Sequence, residues 1–259
     1  MEVRIDFTKS AQENAEEYFE MSKRAKRKAE GAEKSAAELR GSLAKAKAVA
    51  PERKEMRKLR EKKWYEKFNW FFTSNSMLVI GGRSAQQNEL INSRFFEQND
   101  MFFHADVFGA SVVILKDGAG ADRDTWQEVA QFAACHSNAW ENGDAAADVY
   151  ALRREQISKS TGKGSLGTGS FLMKGDREWF RSTTLELYAS PTDVEGQTLV
   201  VIEPLLTARK RGISHGTLLK PGNTKKSDAA KRIAKKFKCN DIDYVMQHLP
   251  AGGFSLKDE

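Results

Sequence analysis

The stretch "DMFFHADVFGAS", residues 100–111, holds the side chains best suited to chemistry, a histidine between two aspartates in an aromatic run. Side chains alternate between the two faces of a β-strand, so His104 would share one face with Asp100 and Asp106. The same face would carry Phe102, whereas the residues in between are apolar and would face the core. We therefore expect an imidazole flanked by two carboxylates on an accessible surface.

Four interpretations of this cluster are open. A metal site would take a further ligand from His136, His215 or His248, although none of them lies at a familiar ligand spacing. General acid–base catalysis would use the same groups in a pocket, although no nucleophile elbow or oxyanion loop is recognisable nearby. In a structural role, His104 would bond one aspartate and fix a turn. In a recognition surface, the imidazole and Ser111 would donate to phosphate or ribose.

Two glycine-rich segments are candidates for holding an anion. Gly81, Gly82 and Arg83 end a predicted strand and open a predicted helix, where free backbone N–H groups and a guanidinium favour an anion. The alternative is a tight turn that needs glycine. Residues 160–170, "STGKGSLGTGS", lack the spacing of a nucleotide-binding phosphate loop and read as a flexible loop.

Charge is distributed unevenly along the chain. The 259 residues carry a net charge of +6, yet residues 68–208 hold 11 basic and 18 acidic residues. Residues 209–238 hold 11 basic residues and one acid, Asp228. A tract of this kind is typical of a polyanion contact, because neutralising phosphate releases condensed counterions. The residues expected to neutralise phosphate are Arg209, Lys210, Arg211, Lys225 and Lys226.

Composition bounds the class of protein. Cys135 and Cys239 are far apart and form no CxxC pair, which argues against a zinc module and is typical of a reducing compartment. No apolar run approaches the roughly 20 residues that span a bilayer. We expect a soluble cytoplasmic protein with no membrane partner and no cofactor.

The first part of the chain has the pattern of a long helix. Small apolar residues recur in alternating steps of four and three from Ala11 to Ala50, which is typical of a coiled coil. A second helix is predicted at about residues 51–68, so the simplest arrangement is an antiparallel helical hairpin. Alanine at most seam positions buries little area, and we expect the long helix to need a neighbour or a protein partner for support.

The order of the later elements indicates an α+β fold. Residues 69–82 read as two short strands joined by a polar turn, and residues 84–96 as a capped helix. Residues 125–141 are amphipathic, and residues 225–237 predict a basic helix with Ser227 at its N-cap. Strands and helices without regular alternation are typical of this class.

We therefore predict three regions. Residues 1–67 form the helical hairpin, residues 68–208 form a domain with a mixed sheet and flanking helices, and residues 209–259 form a basic C-terminal extension.

Several segments occur together in a recognisable order. The segments "WYEKFNWFFTSNSMLVIGGRSAQQNE", "DMFFHADVFGAS" and "TGSF" together resemble the NFACT-R domain of the NFACT family of ribosome quality control factors, over residues 64–171. The upstream "SAQENAEEYFEMSKRAKRKAEGA" resembles the coiled-coil middle region of that family. The downstream "LLKPGNTKKSDAAKRIAKKF" resembles the C-terminal extension of its archaeal-type members.

The resemblance implies a structural and RNA-facing role for the matching residues. Those expected to face RNA are Arg83, Gln86, Asn88, Asp100, His104, Asp106 and Ser111. Those expected to shape the backbone are Gly81, Gly82, Glu89 and Gly109.

The resemblance also implies partners and limits. Intact family members bind the large ribosomal subunit that carries a stalled nascent chain, recruit tRNA, and in many cases extend the chain without a template. Their tRNA-selecting motif lies in an N-terminal domain, whereas this sequence begins at the coiled coil, so we expect no tail elongation by this chain alone. The expected function is non-enzymatic binding of large-subunit rRNA or tRNA. The alternatives are a metal-assisted RNA hydrolase that uses Asp100, His104 and Asp106, and a coiled-coil scaffold that recruits protein partners.

Overall fold

The computed structural model describes residues 6–48, 61–161, 164–194 and 196–258. The chain divides into two compact units, the first ending at Leu59 and the second beginning at Arg60. The boundary predicted after residue 67 is therefore too late, because Trp64 stacks on Phe95 of the second unit and Tyr65 packs edge-on against Trp70.

The first unit contains helix α1 (Ala11–Ala48), as the heptad pattern predicts. Ser10 caps it: its hydroxyl accepts from the Glu13 backbone N–H, and the Glu13 carboxylate accepts from the Ser10 N–H. Most of the predicted return helix falls on residues 51–60, which lie outside the described residues. Its last part is wrong as an α-helix, because residues 61–63 are irregular and Trp64–Lys67 form a 3-10 turn.

The second unit contains six short α-helices and fourteen strands among its described residues, without regular alternation. Its helices are α2 (Ala85–Arg94), α3 (Arg123–Cys135), α4 (Asn138–Asn142), α5 (Leu205–Lys210), α6 (Lys226–Lys236) and α7 (Ile242–His248). Its strands are β1 (Asn69–Phe72), β2 (Leu78–Gly81), β3 (Met101–Ala105), β4 (Val113–Leu115), β5 (Ala146–Arg153), β6 (Ile157–Ser158), β7 (Ser160–Thr161), β8 (Gly164–Ser165), β9 (Leu172–Met173), β10 (Glu178–Thr184), β11 (Leu187–Val194), β12 (Gln197–Pro204), β13 (Thr217–Thr224) and β14 (Phe254–Asp258).

These strands form two main sheets. A six-stranded sheet has the order β1-β2-β4-β3-β5-β10, and a four-stranded sheet has the order β12-β11-β13-β14. Two short ladders, β6 with β9 and β7 with β8, lie between β5 and β10 in the chain. Every pairing that the structure describes is antiparallel. The α+β class is thus confirmed, and the expected mixed sheet is corrected to an antiparallel one.

Other elements cover both faces of the six-stranded sheet at Phe102 and Phe103 of β3. Phe103 belongs to a core cluster that includes residues of α3. Phe102 belongs to a second cluster, which includes Phe68, Trp70 and, from α2, Ile91. Phe102 and Phe103 are both fully buried. The prediction of an accessible face is therefore wrong for Phe102, because both faces of the strand pack against other elements there, whereas His104 is half-buried.

Residues 209–258 are part of the second unit and not a separate extension. Strands β13 and β14 complete the four-stranded sheet, and α6 buries Ala229, Ala230 and Ile233 in the same cluster as Phe103. The N-cap of α6 is Lys225 and not Ser227. The predicted helix 125–141 is likewise interrupted, because the Ser137 hydroxyl accepts from the Ala139 N–H and begins α4.

Candidate nucleic-acid interface

Asp100 is buried and holds a turn together. Its carboxylate accepts from the backbone N–H of Glu97 at 2.7 Å and of Asp117 at 2.8 Å, and from Lys116 Nζ at 2.6 Å. The side chain of Asp100 is fully withdrawn from solvent. The expectation that it faces RNA is therefore corrected to a structural role.

His104 and Asp106 take different partners from Asp100. Nδ1 of the half-buried His104 lies 3.3 Å from the Tyr150 hydroxyl, and its ring is parallel to that of Phe102. Burial lowers the pKa of His104 below its usual value, so the ring is neutral at pH 7. Asp106 is exposed, and its backbone N–H donates to the Asp148 carbonyl. Within the described ranges, no three His, Cys, Asp or Glu side chains meet in a way that could hold a metal ion.

Arg83 directs its guanidinium inward. Its Nη2 donates to the Phe68 carbonyl at 2.7 Å and lies 2.9 Å from His248 Nε2, while its Nε donates to Asn69 Oδ1 at 3.2 Å. Its Nη1 donates to Gln247 at 3.1 Å. Burial lowers the pKa of Arg83. These contacts join β1 to α7, so the guanidinium expected to hold an anion is engaged within the fold.

The glycine turn beside Arg83 is built for close packing. A Cβ on Gly82 would lie 2.1 Å from Oδ1 of Asn88, an atom that accepts from the Val112 N–H at 3.1 Å. A Cβ on Gly81 would lie 3.2 Å from the Phe132 ring. Asn88 thus fastens α2 to the chain before β4, and its amide is not directed at solvent.

The remaining motif residues divide between structure and surface. Glu89 accepts from the Lys159 ammonium and from the Gly169 N–H, so it holds the loop after β6 against α2. Gln86 is exposed in the first turn of α2. Ser111 is half-buried, and its backbone N–H donates to the His136 carbonyl.

Most of the predicted phosphate-binding cations serve internal carboxylates and carbonyls. Lys210 Nζ lies 2.9 Å from the buried Glu128, and Arg211 Nη1 lies 3.1 Å from the buried Glu203. Lys226 Nζ donates to the Leu249 carbonyl, and burial lowers its pKa. Buried carboxylates need cations nearby, which explains these pairings. The two other predicted contacts, Arg209 and Lys225, are exposed.

A row of cationic and aromatic side chains just before and within β10 was not predicted from the sequence. Arg177, Trp179 and Arg181 follow each other at alternate positions and therefore lie on one side of the chain. Arg181 Cζ lies 3.7 Å from the Trp179 ring centroid, and Arg177 Cζ lies 5.7 Å from it. Both arginines are exposed. We call these three residues the cation–aromatic ladder.

Aromatic rings extend this ladder onto neighbouring strands. Trp179 pairs across the sheet with Tyr150, and Tyr150 pairs with His104. Arg177 Cζ lies 4.3 Å from the Tyr150 ring, and the Tyr150 and Trp179 rings are 5.4 Å apart. The alternation in "REWFR" is the sequence signal that could have identified the ladder.

A second missed residue is Phe108, whose side chain is 93% exposed. It stands on a loop anchored by the Asp106 and Ser111 N–H groups described above, and Gly109 has a φ of +78° and leaves no room for a Cβ beside Asn138. Asp148, whose carbonyl holds this loop, also accepts from Arg181 at 2.6 Å. The loop therefore presents an exposed ring, and its backbone is held by Asp148, the residue that also pairs with Arg181 of the ladder.

Comparison with known proteins matches a large part of the chain to an RNA-binding family model. Residues 67–175, which include β1–β9, match the family model described as "NFACT protein RNA binding domain". The chain is 38% identical over 208 residues to the "Archaeal Rqc2 homolog aRqcH" of Methanocaldococcus jannaschii, covering 79% of this chain and 30% of that protein. It is 34% identical over 200 residues to the "Ribosome quality control complex subunit NEMF homolog" of Drosophila melanogaster, covering 71% and 19%.

A solved structure of the C-terminal part of the fibronectin/fibrinogen-binding protein from Streptococcus suis is also similar, at 17% identity and a TM-score of 0.40. That similarity covers 70% of this chain and 77% of that one, and it is too weak to bear on fold or function. The chain spans less than a third of the length of the two relatives named above.

Proposed function

The chain belongs to the NFACT family, and from that premise we propose that it is a non-enzymatic RNA-binding module that acts in ribosome quality control. The names of its relatives refer to this process. We propose the large ribosomal subunit, through its rRNA, or tRNA as the RNA partner, and the cytoplasm as the location. In the part of the chain that the structure describes, no helix is long and apolar enough to cross a membrane.

The cation–aromatic ladder is the observation that carries the proposal. Two exposed guanidinium groups beside a tryptophan supply what single-stranded RNA requires, which is a positive track for phosphates and planar groups for bases. The ladder begins two residues after the family match and belongs to the same sheet. Phe108 offers a further ring on which an unpaired base can stack.

A non-enzymatic mechanism agrees with the partners of the polar residues on β3. Asp100 is held by Lys116 and two backbone N–H groups, whereas His104 is neutral and contacts Tyr150. Incubation with labelled tRNA, with and without a chelator, tests this point, and no cleavage is expected. Cleavage that His104→Ala abolishes would establish the hydrolase instead.

Charge removal from the ladder tests the proposed RNA contact. The double variant Arg177→Gln, Arg181→Gln is expected to weaken binding of single-stranded RNA and to reduce the slope of log K against log salt by about 1.4, because each lost phosphate contact removes about 0.7. Fluorescence anisotropy at several salt concentrations measures both quantities.

The matched control is Arg94→Gln, Arg153→Gln, which removes the same charge from exposed positions outside the ladder. It should leave most of the affinity in place. Equal losses in both double variants would refute the ladder as the contact, and binding independent of salt would refute the electrostatic mechanism.

A further inference from the structure

A cavity of about 340 Å³ lies along the outer edge of β10, beside the ladder. The volume is within the range of roughly 300–1,000 Å³ that small-molecule sites occupy. Its walls come from the first three turns of α3, from most of β10 and from Leu206 of α5. The lining residues are Arg123, Gln127, Ala130, Gln131, Trp179, Phe180, Arg181, Ser182, Thr183, Thr184 and Leu206.

The side chains that line the cavity favour an anionic ligand that also carries neutral polar groups. None of the described residues that line the cavity is acidic, and two of them are arginines. Both arginines are more than half exposed, and their carboxylate partners, Glu178 and Asp148, lie outside the lining. Three hydroxyl groups and the carboxamide of Gln127 supply neutral donors and acceptors. A phosphate with an attached sugar or base is the ligand class that uses both kinds of group.

Part of the wall is fixed before any ligand arrives. Gln131 is buried, its Nε2 donates to Thr184 Oγ1 at 2.9 Å, and its Oε1 accepts from the Leu206 N–H at 3.0 Å. Arg123 Nη2 donates to the Trp179 carbonyl at 3.1 Å, and its Cζ lies 5.0 Å from the Phe180 ring centroid. These contacts tie α3, β10 and α5 together around the cavity.

The end of β10 is shaped unusually at this place. The pairing with β5 shifts between Phe180 and Thr183, and Ser182 has a φ of +49°, a left-handed conformation that costs free energy in a residue other than glycine. Asp148 holds this bulge, because its carboxylate accepts from the Ser182 N–H at 2.8 Å and from Arg181. Bulges redirect side chains at binding sites, and this one places Arg181 in both the ladder and the cavity.

We propose that this cavity binds one unpaired nucleotide of the RNA that the ladder holds, with its phosphate contacted by Arg123 and Arg181. The hydroxyl groups of the wall and the Gln127 carboxamide contact the sugar or base. The inference rests on the proposed function, since the ladder delivers the strand and the cavity accepts a single unit from it. Adenosine 5′-monophosphate represents the same ligand chemistry from a free source.

Two variants change the cavity without altering the ladder. Arg123→Gln removes one cation, and Gln127→Glu places a negative charge of nearly the same shape on the exposed wall. Titration calorimetry with adenosine 5′-monophosphate, adenosine and inorganic phosphate is carried out on the full chain and on both variants. Anisotropy of a short labelled single-stranded oligoadenylate is measured in parallel. Arg94→Gln is the charge control, and unchanged thermal unfolding shows that each variant folds.

The monophosphate is expected to bind the full chain more tightly than adenosine or phosphate alone. Each cavity variant should weaken monophosphate binding by at least about tenfold, because Arg123→Gln removes a charge-assisted contact to phosphate and Gln127→Glu repels it. The oligoadenylate should lose affinity in the same variants, whereas Arg94→Gln should bind both ligands as the full chain does.

The outcomes separate the cavity from the ladder. If the oligoadenylate binds through Arg177 and Arg181 but the monophosphate does not bind, or binds both cavity variants unchanged, the cavity inference is overturned and the proposed function stands. If the full chain binds no RNA, the proposed function fails. Monophosphate binding that depends on Arg123 would then show a site for free nucleotides, which overturns RNA as the source.

Discussion

Individual polar residues in this protein have roles set by what surrounds them more than by their chemical type. Asp100 and Asp106 lie six residues apart on the same segment, yet the first is fully buried and the second is exposed. Asp100 neutralises Lys116, whose side chain is only 16% exposed. The pair is therefore a structural contact between the start of β3 and the end of β4.

Replacement of Asp100 tests this role. Asp100→Asn is expected to lower the free energy of unfolding by about 2–4 kcal/mol, because it leaves a largely buried ammonium with only Glu97 as an anionic partner. Urea unfolding measures the loss, and RNA affinity of the folded protein should be unchanged. Asp106→Asn is the control and should unfold as the native chain does. A stable Asp100→Asn variant with weakened RNA binding would restore the recognition role first expected of this residue.

Phe108 differs from Asp100, because its aromatic ring has almost no contacts within the fold. Phe108→Ala is expected to reduce the affinity for single-stranded RNA by about five- to hundredfold, because a stacked base contributes about 1–3 kcal/mol. Its thermal unfolding should not change, because the ring is 93% exposed. Phe19→Ala, at a 69% exposed position on α1, is the matched control. Equal affinities of all three proteins would exclude stacking on Phe108.

At the scale of elements, two buried histidines join helices α3 and α7 to the chain around β1 and β2. His248 on α7 lies within 2.9 Å of Arg83 Nη2, and His136 at the end of α3 lies 3.2 Å from Asn69 Nδ2. Burial, with nearby cations, lowers the pKa of His136 to about 3 and that of His248 to about 4. Both rings are neutral in the folded protein near neutral pH and can accept hydrogen bonds from these donors.

Stability should therefore fall in acid. Below pH 6.5 the unfolded chain binds protons at both histidines while the folded chain does not, so each histidine removes about 1.4 kcal/mol per pH unit until its folded pKa is reached. Glu203 opposes this between pH 4.5 and 7, because burial raises its pKa to about 7 and the folded state holds the extra proton. The two histidines outweigh the one glutamate, and stability should decrease from pH 6.5 to 4.5.

Urea unfolding at a series of pH values checks the sign. His248→Gln should flatten the dependence, and Glu203→Gln should steepen it. Stability that rises as the pH falls through this window would contradict the assignment of neutral histidines.

Helix α1 carries large apolar side chains that are exposed. Phe19, Met21 and Leu39 are more than half exposed on it. Apolar side chains at this exposure suit a protein partner, so the coiled-coil contact stays a prediction.

At the scale of the whole molecule, the basic C-terminal tract completes the core of the second unit. Residues of α6, α7 and β14 lie in the same cluster as α3 and β3, and the tract supplies cations to Glu128 and Glu203. The cations of this tract thus largely contact acidic and carbonyl groups inside the second unit.

Truncation distinguishes an internal element from an attached tail. Deletion of residues 209–259 is expected to abolish cooperative thermal unfolding, because it removes two strands of the four-stranded sheet and leaves two buried carboxylates without their cations. Circular dichroism during heating measures this. Arg209→Gln, Lys225→Gln is the matched charge control and should unfold as the native chain does. A cooperative, RNA-deficient truncation would instead support a separate phosphate-binding tail.

The sequence by itself determined the local elements and the family. The heptad pattern of α1, the hairpin of β1 and β2, and the helix capped by Ser84 depend on residues close together in the chain, so their periodicity and capping signals suffice. The ordered motifs of residues 64–171 likewise indicate the family without any knowledge of tertiary contacts.

Tertiary structure alone decided which polar residues reach solvent. Alternation along β3 cannot reveal that α2 and α3 cover both faces, and a run of cations cannot reveal that Glu128, more than 80 residues earlier, will bind Lys210. The ladder also depends on a long-range event, the pairing of β10 with β5, which sets Trp179 beside Tyr150. Burial and charge pairing arise from residues distant in sequence, and only the folded chain brings them together.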